Sequence, residues 1–97
     1  MDLRITARHF ELTDEIKDYA DKRMAVLDRY ESFIHSAHLV LEVEKHRQMS
    51  EITLQVNGQS LVAHSVTDDM YASIDETSDK IERQLRKYHG KMTDYHV

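Results

Sequence analysis

Residues 51–66 read EITLQVNGQSLVAHSV. Asn57-Gly58 at its centre is a two-residue hairpin signal, because both loop positions of the favoured turn need positive φ. With that pair as the loop, Leu54 lies opposite Leu61 and Ile52 opposite Ala63. Directly opposed residues share a face of an antiparallel pair. Leu61 and Ala63 therefore join Ile52, Leu54 and Val56 on the core side, and His64 stands opposite Glu51 on the other. Propensity alone does not decide this, since Val62 and Val66 are also apolar. The turn decides it, and a slip of one residue would exchange the two faces.

Working outward, Ala37, Leu39, Leu41 and Val43 alternate with polar residues and supply a strand before the hairpin. Three consecutive strands then form an antiparallel meander. Near the start, Asp2–Arg8 alternates too: Leu3, Ile5 and Ala7 point one way, Arg4, Thr6 and Arg8 the other. Thr13 stands before DEIKDYADKRMAVLDRY, as an N-cap followed by the acids Asp14 and Glu15. Ile16, Ala20, Met24 and Leu27 recur at helical spacing, which predicts a helix from about Asp14 to Tyr30. Past the hairpin, Asp69 caps a second helix from Met70 to about His89. Its apolar stripe is Ile74, Ser78, Ile81, Leu85 and Tyr88, and Gly90 is expected to stop it.

The order is β-α-β-β-β-α. A helix-length crossover makes the first two strands parallel. The expected fold is α+β, a four-stranded sheet with two roughly parallel helices packed on one face. The other face, with Arg4, Thr6, His38, Glu42, Thr53, Gln55 and His64, is expected to meet solvent.

The 97 residues suit one domain, residues 1–97. No apolar run approaches the ~20 residues of a membrane span, and the N-terminus has no signal-peptide stretch. A soluble cytoplasmic domain is expected. The absence of Cys removes disulfides and thiol nucleophiles. Two Gly cannot build a phosphate loop or a nucleophile elbow. Seven His include no helical His pair with metal spacing, and His35, His38, His46, His89 and His96 read as surface residues. No metal, cofactor or small-molecule substrate is expected. Tyr71 is expected to pack against the sheet edge, with stacking on a base as the alternative.

Net charge is −5, with 13 basic and 18 acidic residues, but its distribution is uneven. Within Lys80–Lys91, five basic residues (Lys80, Arg83, Arg86, Lys87, Lys91) face one acid, Glu82. On a helical wheel Lys80, Lys87 and Lys91 share one flank, with Arg83 on the outer crest. Asp75, Asp79, Glu82 and Arg86 share the other. In the first helix, Lys22 and Arg29 lie on the flank corresponding to that of Lys80 and Lys87, whereas Arg23 falls inside the apolar stripe. A charge there must snorkel, pair or meet a ligand. Cations along ~16 Å of helix match a run of phosphates. The same pattern also fits ion pairs between neighbouring helices, and patterning alone leaves both readings open.

Three stretches together resemble a known family. DDMYASIDETSDKIERQLRKYHGK (68–91) is similar to the C-terminal helix of the bacterial ribosome hibernation-promoting factors, also known as ribosome-associated inhibitors or sigma-54 modulation proteins. HFELTDEIKDYADKRMAVLDRY (9–30) resembles their first helix, and LEVEKHRQMSEITLQVNGQSLVAH (41–64) their central meander. The D-M-Y-x-x-I-D element followed by K-x-x-x-Q-L-x-K is the more specific part. The resemblance implies the same β-α-β-β-β-α fold and a non-enzymatic role. It implies binding to the small ribosomal subunit and its rRNA in the channel used by mRNA and tRNA. There the protein would block translation sterically and preserve inactive, dimeric ribosomes in slow growth or stress. By matching position, rRNA contact is carried onto Lys22, Arg23, Lys80, Arg83, Arg86, Lys87 and Lys91, with Arg29 added from the wheel. The length resembles the short form, without a C-terminal dimerisation domain, which in that family works with a separate ribosome modulation factor.

Acidity departs from what a ribosome binder leads one to expect, yet phosphate recognition depends on the local field within a Debye length of ~8 Å. The alternatives are a general double-stranded RNA-binding module and a protein-interaction module using the open sheet face.

Overall fold

The computed structural model describes residues 2–93, with residues 91–93 by backbone alone. Strand β1 (Leu3–Arg8) is followed by α1 (Asp14–Met24) and a 3₁₀ segment (Ala25–Phe33). Strands β2 (Ile34–Glu44), β3 (Arg47–Val56) and β4 (Gln59–Thr67) follow, then α2 (Met70–Thr93). The sheet order is β1-β2-β3-β4, with β1 parallel to β2 and the other pairs antiparallel. β1 and β4 are thus the two edges.

The register is the one the turn dictates: Leu54 pairs with Leu61, Ile52 with Ala63 and Glu51 with His64. One row across the sheet runs Ile5, Leu39, Ile52, Ala63. Leu39 and Ile52 in it are fully buried, beneath Ala20, Met24 and Leu27 of the first helical stretch and Ile74, Ile81 and Leu85 of α2. Burying side chains of this size contributes about 1.5–3 kcal/mol each. On the opposite face Val62 and Val66 are exposed, as the register requires.

Both helices begin at the expected caps. Thr13 Oγ1 accepts from the Ile16 amide at 3.2 Å and Asp69 Oδ2 from the Ala72 amide at 3.1 Å. The helices run in the same direction. Tyr19 meets Tyr71, Arg23 meets Asp75 and Asp79, and Tyr30 meets His89, so position rises together along both.

Three expectations are corrected. The first helix is not α-helical to Tyr30: the α-helix ends at Met24 and a 3₁₀ segment continues to Phe33, with a kink at Tyr30. The apolar spacing explains the change. Ile16, Ala20 and Met24 step by four, whereas Met24, Leu27, Tyr30 and Phe33 step by three. A winding of three residues per turn keeps that second series on one side. Gly90 does not stop α2, which runs on to Thr93. A glycine inside a helix costs only ~1 kcal/mol, and nothing lies within 4 Å of where its Cβ would be. At the hairpin, Gly58 alone turns left-handed, with φ +80°. Asn57 does not, and it is held from outside the turn. Its carbonyl accepts from Tyr88 Oη at 3.1 Å, and its side chain pairs with His35.

Where α2 starts across β3 and β4, the contact is made of hydroxyls. Ser50 Oγ lies 2.9 Å from Ser73 Oγ and 2.7 Å from Thr77 Oγ1, and donates to the Ser73 carbonyl at 2.8 Å. Ser73 Oγ donates to the Ser65 carbonyl at 3.0 Å. All four residues are buried. Their small side chains let the helix backbone approach the sheet closely.

Candidate functional site

The two flanks of α2 meet different neighbours. One packs along α1. There Arg23, inside the apolar stripe, is paired: its Nε lies 2.8 Å from Asp75 Oδ1 and its Nη2 3.2 Å from Asp79 Oδ1. Tyr19 donates to the same Asp75 oxygen at 2.6 Å, and Ser78 Oγ donates to the Arg23 carbonyl at 3.2 Å. Burial works against the Arg23 charge, but Asp75 and Asp79 outweigh it and hold the guanidinium above its ordinary pKa. The hydrogen bond to Asp75 pushes the Tyr19 phenol up as well. Tyr71 packs here edge-on against Tyr19 of α1, ring centres 5.0 Å apart.

The other flank of α2 looks over the free edge of β4. An unpaired strand edge presents carbonyls that need donors. Lys80 Nζ donates to the His64 carbonyl at 2.9 Å and Gln84 Nε2 to the Val62 carbonyl at 2.8 Å. These two bonds bridge the helix and the strand edge. Between them opens a groove of about 670 Å³, bordered by Val62 and His64 on the strand and Lys80, Arg83, Arg86 and Lys87 on the helix. Arg83 and Lys87 form no ion pair with any described residue, whereas Arg86 reaches Glu82 at 3.5 Å. The groove is therefore a local concentration of positive charge in an acidic chain.

The structure thus brings four of the eight predicted residues to one place: Lys80, Arg83, Arg86 and Lys87. Lys22 and Arg29 are exposed on the α1 side and do not line the groove. Arg23 is committed to two carboxylates. The side chain of Lys91 lies outside the described residues. Asp75 and Asp79, on the other flank of the wheel, turn toward α1. Sequence reading did not single out Gln84 or Val62. The hairpin register did carry a signal for Val62, by placing it outward on a strand that is also an edge. Among the described residues no cluster of His, Asp and Glu could hold a metal, and no helix is long and apolar enough to cross a membrane.

Fold and groove define a small α+β binding protein with a cationic edge. Residues 3–93 match the family described as Sigma 54 modulation protein / S30EA ribosomal protein, and the chain belongs to that family. Its members are binding proteins, not enzymes. Curated relatives include the ribosome hibernation promoting factor of Azotobacter vinelandii, 37% identical over 94% of this chain and 85% of that one. The ribosome hibernation promoting factor of Escherichia coli K12 is 38% identical, over 95% of this chain and 97% of that one. Among solved structures, the Thermus thermophilus Protein Y N-terminal domain superposes with a TM-score of 0.82 at 31% identity, over 91% of this chain and 99% of that one. A ribosomal subunit interface protein from Coxiella burnetii shares the fold, with a TM-score of 0.85 at 21% identity, over 93% of this chain and 99% of that one.

Proposed function

We propose that this protein is a ribosome-associated, cytoplasmic hibernation factor. It binds the small subunit in the channel used by mRNA and tRNA and blocks translation by occupying space. The observation that carries this reading is the end-to-end match to relatives named ribosome hibernation promoting factor, at 37–38% identity. The cations of α2 support it, since rRNA phosphates are the anions such a surface would meet. In this reading Lys80, Arg83 and Lys87 are the main phosphate contacts. Lys22, Arg29 and Lys91 extend the surface, and Arg86 joins it once it leaves Glu82. Arg23 holds the two helices together instead. Preservation of dimeric ribosomes with a separate modulation factor is the further step.

The test is co-sedimentation with purified small subunits and with whole ribosomes over a salt series, with and without mRNA and tRNA. Salt-sensitive pelleting displaced by mRNA or tRNA is expected. Pelleting indifferent to both competitors would move the binding site elsewhere. No pelleting at low salt would remove the function. Free RNA duplex is the control for a general double-stranded RNA binder.

A further inference from the structure

The sheet has two free edges, and they are finished differently. Lys80 and Gln84 bond the carbonyls of the β4 edge. On β1, the polar side-chain contacts, Thr6 with His38 and Arg8 with Glu42, both run to β2. Among the described residues no side chain bonds the outward backbone of β1. The strand has no proline, and its pairing with β2 has no bulge, so the usual devices that blunt an edge are missing. A second groove, of about 390 Å³, lies where the start of β1 meets α1 and the 3₁₀ segment. Leu3, Met24 and Ala25 give it an apolar part, and Asp2, Asp21 and Asp28 face a single cation, Lys17. Lys17 is spent on Asp21 at 3.1 Å, and Asp2 and Asp28 form no ion pair with a described residue. This flank of α1 is the one turned away from α2, which Tyr19 and Arg23 meet.

We propose that the free edge of β1 takes up an extended, lysine- or arginine-bearing segment of a neighbouring protein. The segment adds a fifth strand to the sheet and sets basic side chains against Asp2, Asp21 and Asp28. The inference rests on the ribosome-binding reading for the source of the segment, a protein of the small subunit, and adds a protein contact to the RNA contact. Three observations favour this occupant. The backbone of β1 offers donors and acceptors that an extended chain satisfies, and its six residues match ~20 Å of partner strand. The excess carboxylate repels phosphate and attracts ammonium or guanidinium groups, so RNA does not suit this edge. The two faces also differ. Successive side chains of an added strand point to opposite faces. Those on the helix side meet the aspartates, whereas those on the open side lie beside Arg4 and Arg8, which disfavour a second row of cations. The fitting segment therefore alternates basic with neutral polar residues.

Two measurements test it. In the first, an eight-residue peptide alternating Lys and Thr is titrated into isotope-labelled protein. The same peptide methylated at every backbone nitrogen and a Glu/Thr counterpart are titrated separately. In the second, p-benzoylphenylalanine replaces the exposed Lys17, and the chain is pelleted with small subunits and irradiated. The crosslinked partner is identified by mass spectrometry. Amide shifts over Leu3–Arg8 and Lys17–Asp28 with the unmethylated Lys/Thr peptide alone support the proposal. Asp21→Asn with Asp28→Asn should then weaken that binding about fivefold. No shifts, or equal shifts with the methylated peptide, overturn the strand pairing. A crosslink to a basic segment of a small-subunit protein supports the proposal. A chain that pellets but crosslinks only to rRNA, to a second copy of itself, or not at all overturns the β1 contact and leaves the ribosome reading standing. A chain that fails to pellet yet shows the peptide shifts supports the edge and overturns the ribosome reading.

Discussion

On the α1 side of α2, Asp75 and Asp79 close on Arg23 at 2.8 and 3.2 Å, and Tyr19 adds its hydroxyl to the same carboxylate. On the β4 side of the same helix, Arg83 and Lys87 face a groove with no carboxylate opposite them among the described residues. The two flanks belong to one helix, about 10 Å across: one turns Asp75 and Asp79 to α1, the other turns Lys80, Arg83 and Lys87 to β4. What separates them is the neighbour. A second helix brings its own opposite charge to the seam, whereas a strand edge brings carbonyls, which take donors without neutralising them. Availability of a cation therefore follows from packing and not from its count in the sequence.

The strongest way to break this contrast is to remove the open flank. Lys80→Ala, Arg83→Ala and Lys87→Ala together should lower ribosome affinity on the order of a hundredfold and flatten the log–log salt slope by about three. Thermal unfolding should barely move, because all three side chains are exposed. An unchanged slope in sedimentation assays would mean that these residues meet no phosphate. Arg23→Ala should do the reverse. The pair is more than a third exposed, so solvent screening limits its loss to about 1 kcal/mol. That is a fall in melting temperature of about 5 °C for a domain this small, with the salt slope kept.

Tyr19→Phe sharpens the seam further, at just under 1 kcal/mol in denaturant unfolding. Because folding raises the Tyr19 pKa, the folded state holds that proton more tightly than the unfolded chain does. Its contribution is complete below the ordinary tyrosine value of about 10 and fades as pH rises through the raised one. The Tyr19→Phe variant should lose that alkaline component. The smallest effect belongs to the residue between the two regimes. Glu82→Gln releases Arg86 from an exposed pair worth about 0.3–0.5 kcal/mol and should tighten ribosome binding about twofold in the same sedimentation assay.

How much of this could be read beforehand follows the range of the interactions involved. Hairpin register depends on Asn57-Gly58 and alternation within a few residues, so the faces of β3 and β4 were legible, down to Val62 and Val66 pointing outward. The caps at Thr13 and Asp69 are equally local. The end of α1 was misread because Leu27 fits a period of 3.6 and one of three alike; only Tyr30 and Phe33 continue the shorter series. Gly90 was read by its preference at helix ends, yet no close approach required a stop there. The fate of Arg23 was legible as a choice of three outcomes, and only the packing of α2 beside it selected pairing. The groove was not legible, because it arises where the edge of β4 meets one flank of α2, and the hydrogen bonds from Lys80 and Gln84 have no counterpart in sequence spacing.

Those two hydrogen bonds have a consequence for self-association. A flat strand edge with free carbonyls is a template on which a second molecule can extend the sheet, and repeated addition yields fibres. Here the lysine ammonium and the glutamine amide occupy alternate carbonyls of β4, and the charged helix stands in the way of an incoming chain. On the β4 side, an incoming strand would have to displace both bonds before it could pair there.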